Sequence, residues 1–403
     1  MKAKVIIGAN FGDEGKGLMT DYMCYKNEKP IVIRFNSGSQ AGHTACTSDG
    51  LRHVFGHFGA GTLQEVPTYL SSYFVVNPLT FLKEYYELES KGIEPIVYAD
   101  KECLVTLPFD MMINQIVEDY RGDKRHGSCG LGFNETIERN KIPKYRIRLE
   151  DLTTVDFPNK LLKIQEEYVD DRLKALGVDE IDENMKSILK DFNITANFIR
   201  DTAEFLKLIK PSRPKRVLNK FKTLVFEGAQ GLMLHENHKY FPHVTHSKTG
   251  MDNVSEFLNK YEFKIEDIEV IYITRSYLTR HGAGPLPGEL NYRPYSNIED
   301  LTNIPNKYQG ALRFAYLNLD ILKENIEFDF MKASEVSKYP MTKSIAITCL
   351  DQICNENAKY IEDNKLIETS SIVSFIDDVF DRLNVDNGYA SYSPYRNKIY
   401  KLL

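Results

Sequence analysis

Two loops near the N-terminus carry side chains able to move protons and hold phosphate. The first, Gly12-Asp13-Glu14-Gly15-Lys16-Gly17, follows the apolar run Val5-Ile6-Ile7 and precedes a helix expected to begin near Leu18. Its glycines let the backbone approach an anion, the helix N-terminus adds the positive end of its dipole, and Lys16 supplies a mobile cation. The spacing is not that of a Walker loop, and Asp13 would repel phosphate unless a metal or a proton transfer requires an acid there. A glycine-rich turn with solvated charges would read the same way, so this loop alone decides nothing. The second, Ser37-Gly38-Ser39-Gln40-Ala41-Gly42-His43-Thr44, follows the strand-like run Ile31–Phe35. Ligands bind at such strand ends in open α/β sheets. His43 could donate a hydrogen bond to an oxygen that gains negative charge. A lone histidine is more often structural, but the small residues around this one leave it little to pack against.

Three further segments repeat the pattern of strand followed by loop. Phe226-Glu227-Gly228-Ala229-Gln230-Gly231 presents Gln230, whose amide both donates and accepts, as a purine or amide edge requires. Downstream, the hydroxyl-rich stretch from Phe241 to Thr249, with Thr245 inside it, is able to hold a phosphate. His235, His238, His243 and His246 invite a zinc reading, since the last two have HxxH spacing. No third ligand of fixed spacing accompanies them, and Pro242 breaks any helix there. Thr279-Arg280-His281-Gly282-Ala283-Gly284-Pro285-Leu286-Pro287-Gly288-Glu289 is another glycine-rich loop. Thr348-Cys349-Leu350-Asp351 ends a buried run on a carboxylate, which can accept both N–H groups of a guanine edge or simply cap the next helix.

The elements expected to position these loops alternate between strand and helix, which favours a large, mostly parallel central sheet flanked by helices, an α/β fold. The strands read as Val5–Gly8, Ile31–Phe35, Ile96–Tyr98, Thr223–Phe226, Glu269–Ile273 and Ser344–Thr348. Helices are expected over Leu79–Glu89, Leu161–Leu176 and Asn184–Leu208, the last two as an all-helical insertion. Pro211–Lys222, basic and broken by proline, reads as a linker back to the sheet. A chain of 403 residues, 42% hydrophobic and 27% charged, fits one large domain or two. The net charge of −6 gives no general attraction to nucleic acid or anionic membranes, so any phosphate must be bound locally. No apolar run is long enough to span a bilayer, and the N-terminus lacks a signal-peptide pattern. The six cysteines form no CxxC pair and read as reduced cytosolic thiols.

In this order, GDEGKG, AGHT, FEGAQG and GAGPLPGE resemble the adenylosuccinate synthetases. The resemblance runs from about Val5 to about Arg396 and is weakest over Asp156–Val217. It implies one domain over residues 1–403, related to P-loop NTPase sheets, with a helical insertion at about 156–217. It further implies a cytoplasmic homodimer (in the host cytoplasm if a phage encodes it) that uses Mg²⁺, L-aspartate, a purine nucleoside monophosphate and GTP, or ATP or dATP. In that family a triphosphate phosphorylates the C6 oxygen, a poor leaving group, and the amine of aspartate then displaces the phosphate. The resemblance makes Asp13 the base that takes the N1 proton and a contact of Mg²⁺, with the Gly42 carbonyl as a second metal contact and His43 as the acid partner. Gly12, Glu14, Gly15, Lys16, Gly17, Gly42, Thr44 and Asp351 fall on the triphosphate side. Gln40, Ser128, Cys129, Gln230 and Thr245 fall on the substrate nucleotide, and Thr279, Arg280, His281, Gly282 and Arg313 on aspartate.

The departures cluster around the sugar and the bases. Gln40 stands where GGHNAGHT has Asn, Ser128-Cys129 within HGSCGLG replaces a threonine pair, and His281 replaces the valine before GAGP. The arginine-rich stretch reads Gln309-Gly310-Ala311-Leu312-Arg313-Phe314, so one guanidinium of the cluster remains. TKLD reads TCLD, and STGPDR reads Ser391-Tyr392-Ser393-Pro394-Tyr395-Arg396. Asp13 and His43 are kept. This combination resembles the phage-encoded 2-aminoadenylosuccinate synthetases, which act on dGMP with ATP or dATP, although those often carry Ser in place of Asp13. The sequence therefore leans toward dGMP over IMP, with ordinary synthesis from IMP and GTP as the alternative. Rival readings are a GTP-binding switch, which predicts hydrolysis independent of aspartate, and a regulatory paralogue, which predicts loss of Asp13 or His43.

Overall fold

The apolar run that opens the sequence becomes the centre of a ten-stranded sheet. The computed structural model describes residues 1–122, 128–178, 180–300, 303, 310–353 and 356–403. From one edge to the other the strands run Ile399–Lys401, Asn387–Ser391, Met341–Thr348, Ile268–Arg275, Lys2–Gly8, Thr223–Gly231, Pro30–Arg34, Thr68–Leu70, Val97–Ala99 and Ile209–Pro211. All pair in parallel except the edge strand Ile399–Lys401. Val5 sits between Phe226 and Val270 in register, and every residue of Ile268–Arg275 is buried, as a strand covered on both faces requires. Ile7, Phe226 and Val270 belong to the apolar cluster on one face; Ile6, Val225 and Ile271 belong to that on the other.

The six strands expected from sequence are present, with ends shifted by a few residues. The strands Thr68–Leu70, Ile209–Pro211, Asn387–Ser391 and Ile399–Lys401, toward the two ends of the sheet, were not expected; they are three to five residues long and leave too little pattern to read. The first helix starts at Lys16, before Leu18, because Gly15 adopts a left-handed conformation (φ 96°) that turns the chain into it.

The segment expected to be all-helical differs in two ways. Helix Phe157–Lys163 runs through a π-turn, Ile164–Tyr168, into Val169–Ala175, whereas the expected helix Asn184–Leu208 is split into Glu183–Leu189 and Phe192–Leu208. The split falls at Asp191, whose side chain accepts from the Asn193 amide at 2.9 Å and caps the second piece. The segment then returns through Ile209–Pro211, which pairs with Val97–Ala99 and extends the sheet.

Two smaller units complete the frame. A hairpin pairs His43–Cys46 with Arg52–Phe55. A second sheet joins Tyr277–Arg280, Glu289–Leu290, Arg313–Asn318, Lys359–Glu362 and Lys365–Glu368, with Thr279 opposite Phe314 and Arg280 opposite Arg313. Among the described residues, no helix is long and apolar enough to cross a membrane. Cys24, Cys46, Cys103, Cys129 and Cys349 are free thiols. Cys354, Gln309 and the first two residues of HGSCGLG lie outside the described residues.

Candidate active site

The loop between strand Lys2–Gly8 and helix Lys16–Lys26 is tied together by a carboxylate. Glu14 Oε1 accepts from the amides of Asn10 at 3.0 Å and Gly12 at 2.8 Å, while its Oε2 meets Lys16 Nζ at 2.9 Å. Both side chains are buried. Glu14, expected on the triphosphate side, is thus an internal brace, and Lys16 is held by it. Gly17 lets the helix approach the hairpin, since a Cβ there would meet the Thr44 carbonyl at 2.5 Å. Asp13 takes a left-handed backbone (φ 63°), and Arg275 Nε donates to its carbonyl at 2.6 Å. Burial pushes the Asp13 carboxyl above its ordinary value, against the pull of Arg275 and Lys16.

Asp13 lines a cavity of about 400 Å³ together with Gly15, Thr44, Thr348, Cys349 and Asp351. Arg52, Arg275, Glu299, Asp300, Gln352 and the Ser393–Tyr395 segment complete its wall. Of the residues that the resemblance puts on the triphosphate side, Gly15, Thr44 and Asp351 line this cavity, and Asp13, expected as base and metal contact, lines it with them. Thr348 Oγ1 donates to the Glu14 carbonyl at 2.8 Å and so locks the Asp351 turn against the first loop. Arg275 also donates to Asp300 at 2.9 Å; burial raises that carboxyl, but Arg275 together with the hydrogen bonds from Asn303 holds it down to about 2.

His43 lies behind this wall, 4% exposed. Its Nδ1 is 2.8 Å from Glu227 Oε1, and its Nε2 is buried without a partner. The second oxygen of Glu227 accepts from the Ala60 amide at 3.1 Å. Burial, reinforced by the positive charge of Arg34, pulls the imidazole down to about 4, although Glu227 opposes the shift. Glu227 stays below its ordinary value despite burial, with His43 and Arg34 beside it. The pair is therefore a neutral imidazole donating from Nδ1 to an ionised carboxylate, with the Nε2 lone pair buried and unpartnered. Nε2 becomes a donor only after taking a proton, which a bound anion promotes.

A second group of loops lies on the other side of the first loop. Gly12 abuts Gln230, whose φ of 66° carries its side chain out of the Thr223–Gly231 strand. Asn36 joins the loops by donating to the carbonyls of Ala229 at 3.0 Å and Lys248 at 2.9 Å, and the Ser37 amide donates to Ser247 Oγ at 3.1 Å. Gln40 donates to Ser37 Oγ at 2.7 Å. Thr245 is fixed by its amide, which donates to the Leu234 carbonyl at 2.9 Å. Ser128 exchanges hydrogen bonds with the Asn114 amide side chain at 2.8 and 3.1 Å, and Cys129 is a thiol raised by burial. His246 faces Glu138, His235 meets Asp252 at 3.2 Å, and His238 lies against the Tyr240 ring, so three of the four histidines weighed for zinc have separate partners.

The residues expected to hold aspartate are engaged with the protein. Arg280 donates to the carbonyls of Pro285 at 2.6 Å and His243 at 2.7 Å and lies over the Phe11 ring. Arg313 donates to Glu289 at 2.7 Å and to the carbonyls of Gly282 at 2.9 Å and Gly284 at 2.7 Å. His281 Nε2 is 3.1 Å from the Gly310 carbonyl, and Thr279 is buried. These contacts set the shape of the glycine loop. Sequence reasoning did not single out Glu227, Arg34, Arg275 or Asp300. The first three were visible as charges inside or ending apolar strands; Asp300 had no local signal.

A protein-family model described as adenylosuccinate synthetase matches residues 5–352. The adenylosuccinate synthetase of Mesoplasma florum is 28% identical over 291 residues, which are 71% of this chain and 64% of that protein. That of Clostridium beijerinckii is 31% identical over 351 residues, 84% of this chain and 78% of that protein. The match to the Mesoplasma protein and several others thus spans less than two thirds of their length. Among solved structures, the fully ligated adenylosuccinate synthetase of Plasmodium falciparum superposes with a TM-score of 0.75 at 19% identity, covering 100% of both chains. The succinoaminodeoxyadenylate synthetase (PurZ) of cyanophage S-2L, bound to dGMP and to dATP as an energy donor, superposes with a TM-score of 0.60 at 15% identity, covering 99% of this chain and 95% of that one. Both structural likenesses speak to the fold.

Proposed function

This chain belongs to the adenylosuccinate synthetase family, and we propose that it joins L-aspartate to C6 of a 6-oxopurine nucleoside monophosphate at the expense of a nucleoside triphosphate. The observation that carries this reading is the pair on adjacent loops: Asp13 lining the cavity, and His43 with a buried, unpartnered Nε2 held by Glu227. Asp13 takes the N1 proton of the purine as its C6 oxygen attacks the terminal phosphorus of the triphosphate. The nucleoside diphosphate leaves. His43, drawn to protonate by the incoming phosphates, donates from Nε2 to the phosphoryl group, and the amine of aspartate then displaces phosphate at C6.

Mg²⁺ fits the wall of the cavity. Asp13, Glu299, Asp300 and Asp351 outnumber Arg52 and Arg275 there, so a triphosphate needs a hard cation, and carboxylate and carbonyl oxygens suit one. The Asp13 carboxylate and the carbonyl of Gly42, an exposed residue, would hold the ion, which when bound would offset charge on the phosphoryl oxygens. Asp351 would read the base of the triphosphate, and Gln40, Gln230 and Thr245 the monophosphate.

For the monophosphate we propose dGMP, with ATP or dATP as donor. The losses of Lys at Cys349 and of all but one arginine over residues 310–313 support it, as does a fold shared with a phage enzyme that binds dGMP and dATP. Synthesis from IMP and GTP is the second reading, favoured by the retained Asp13 and by the names of the curated relatives. The test crosses IMP, GMP and dGMP with GTP, ATP and dATP, with aspartate and Mg²⁺ present. Aspartate-dependent phosphate release is expected to be fastest with dGMP. Hydrolysis indifferent to aspartate would remove the ligase reading altogether.

A further inference from the structure

A positive charge with no solvent and few partners sits behind the candidate catalytic pair. Arg34 is 0% exposed, on the strand next to Glu227, which is also 0% exposed. The two are register partners in a parallel pair, so their side chains share one face of the sheet. Arg34 Nη1 donates to the carbonyls of Gly56 at 3.0 Å and Phe58 at 3.1 Å, and the guanidinium lies over the Phe74 ring at 5.2 Å. Its Nε and Nη2 are buried without partners. Burying an arginine on so few hydrogen bonds is costly, and nothing in packing alone calls for it.

The segment that Arg34 grips is itself held from the far side. Glu84, on helix Pro78–Ser90, accepts from the amides of Gly56 at 2.9 Å and His57 at 2.8 Å, and His57 Nε2 accepts from the Asn77 amide at 3.0 Å. Two residues past Phe58, the Ala60 amide donates to Glu227. Arg34 thus reaches Glu227 twice: through its charge across one strand spacing, and through the 56–60 segment that carries the Ala60 donor.

We infer that Arg34 is a positioning residue for His43. It holds the Glu227 carboxylate in place, and Glu227 in turn fixes the imidazole through Nδ1, leaving Nε2 free of protein partners. The inference rests on the assignment of His43 above. It makes Glu84 the outer anchor of the same arrangement.

The experiment is a double-mutant cycle on the full chain, read as aspartate-dependent phosphate release with the best nucleotide pair from the panel. Arg34→Met is expected to lower kcat about tenfold to a hundredfold with the KM of both nucleotides within about threefold, since a group acting through a general acid forfeits part of that acid's contribution. Arg34→Lys, which keeps the charge, is expected to restore kcat to within about fivefold. In the double variant Arg34→Met/His43→Ala, the loss should be no greater than in His43→Ala alone. A fold defect would instead lower the active fraction in both backgrounds, giving additive losses, and that outcome overturns the inference. So does an unchanged kcat in Arg34→Met. If Arg34→Met does not fold, Arg34→Lys decides: a kcat as low as that of His43→Ala in a folded protein means the charge is not what matters. A His43→Ala variant of parental rate would sink the assignment of His43 itself, which separates the two failures.

Discussion

The state of His43 before any ligand arrives limits what it can contribute. A neutral ring bound through Nδ1 to Glu227 offers a lone pair, so its role as acid begins only when phosphate charge draws a proton to Nε2. Asp13 is the complementary case, a carboxyl raised by burial and so a better base than a solvated aspartate. Asp13→Ala and His43→Ala are each expected to cut kcat about a hundredfold or more while leaving the thermal midpoint near that of the parent. A near-parental rate in either variant removes that residue from the chemistry. The motifs made these two residues legible in the sequence, because small neighbours and strand ends advertise a functional side chain. Glu227 and Arg34 were not legible. A charge within an apolar run reads as the end of a strand, and only the register of two strands 193 positions apart shows that they meet.

At the scale of elements, buried polar links between distant segments do what local pattern could not announce. Helix Leu319–Val336 meets helix Asp252–Tyr261 through Asp329, which accepts from the Met251 amide at 3.0 Å and the Tyr272 hydroxyl at 2.8 Å. Burial pushes this carboxyl up to about 6, with Asp252 adding to the rise and the two hydrogen bonds opposing it. A folded-state value above the unfolded 3.8 means that the folded protein binds the proton more tightly. The stabilisation is full below about pH 3.8 and is lost as pH rises through about 6, a swing of about 3 kcal/mol. Asp329→Asn stays neutral throughout and escapes that loss. Its thermal midpoint relative to the parent should therefore rise between pH 4 and pH 7, and a difference flat in pH would show that the carboxyl is not raised. The central strands were legible because two-face burial leaves unbroken apolar runs. The short outer strands and the split at Asp191 were not, since capping and strand pairing depend on neighbours absent from the local pattern.

Across the whole molecule, the loops of the large sheet carry the candidate chemical pair, while the departures from the family are spread over both sheets, with Gln40, Cys349 and residues 391–396 at the large one and His281 and residues 310–313 at the second. The chemistry of the family was therefore legible from motifs, and the choice of substrate was not. The structure adds one fact to that choice. Arg313, the one guanidinium left in the stretch, is spent on Glu289 and on the carbonyls of Gly282 and Gly284, and His281 is turned to the Gly310 carbonyl. On the function proposed above, and by the resemblance to the family, this stretch serves both aspartate, through Arg313, and the 2′-position of the monophosphate's sugar. An enzyme that hydrogen-bonds a hydroxyl rejects the deoxy analogue strongly, because its own polar groups are then buried unpaired. Here the Ala311 and Leu312 side chains have no such groups, and Arg313 has other partners, so among the described residues of this stretch a missing 2′-hydroxyl leaves no side chain unsatisfied. The deoxynucleotide is thus expected to be used at least as well as its ribose counterpart. The measurement is kcat/KM for dGMP against GMP, and for dIMP against IMP, at saturating aspartate. A pocket that merely lacks the recognition should give ratios near one, and one that favours bare carbon beside Leu312 a ratio of a few-fold, about what a small apolar contact supplies. A clear preference for ribose in both pairs would place a hydroxyl-reading group elsewhere and return the chain to synthesis from IMP.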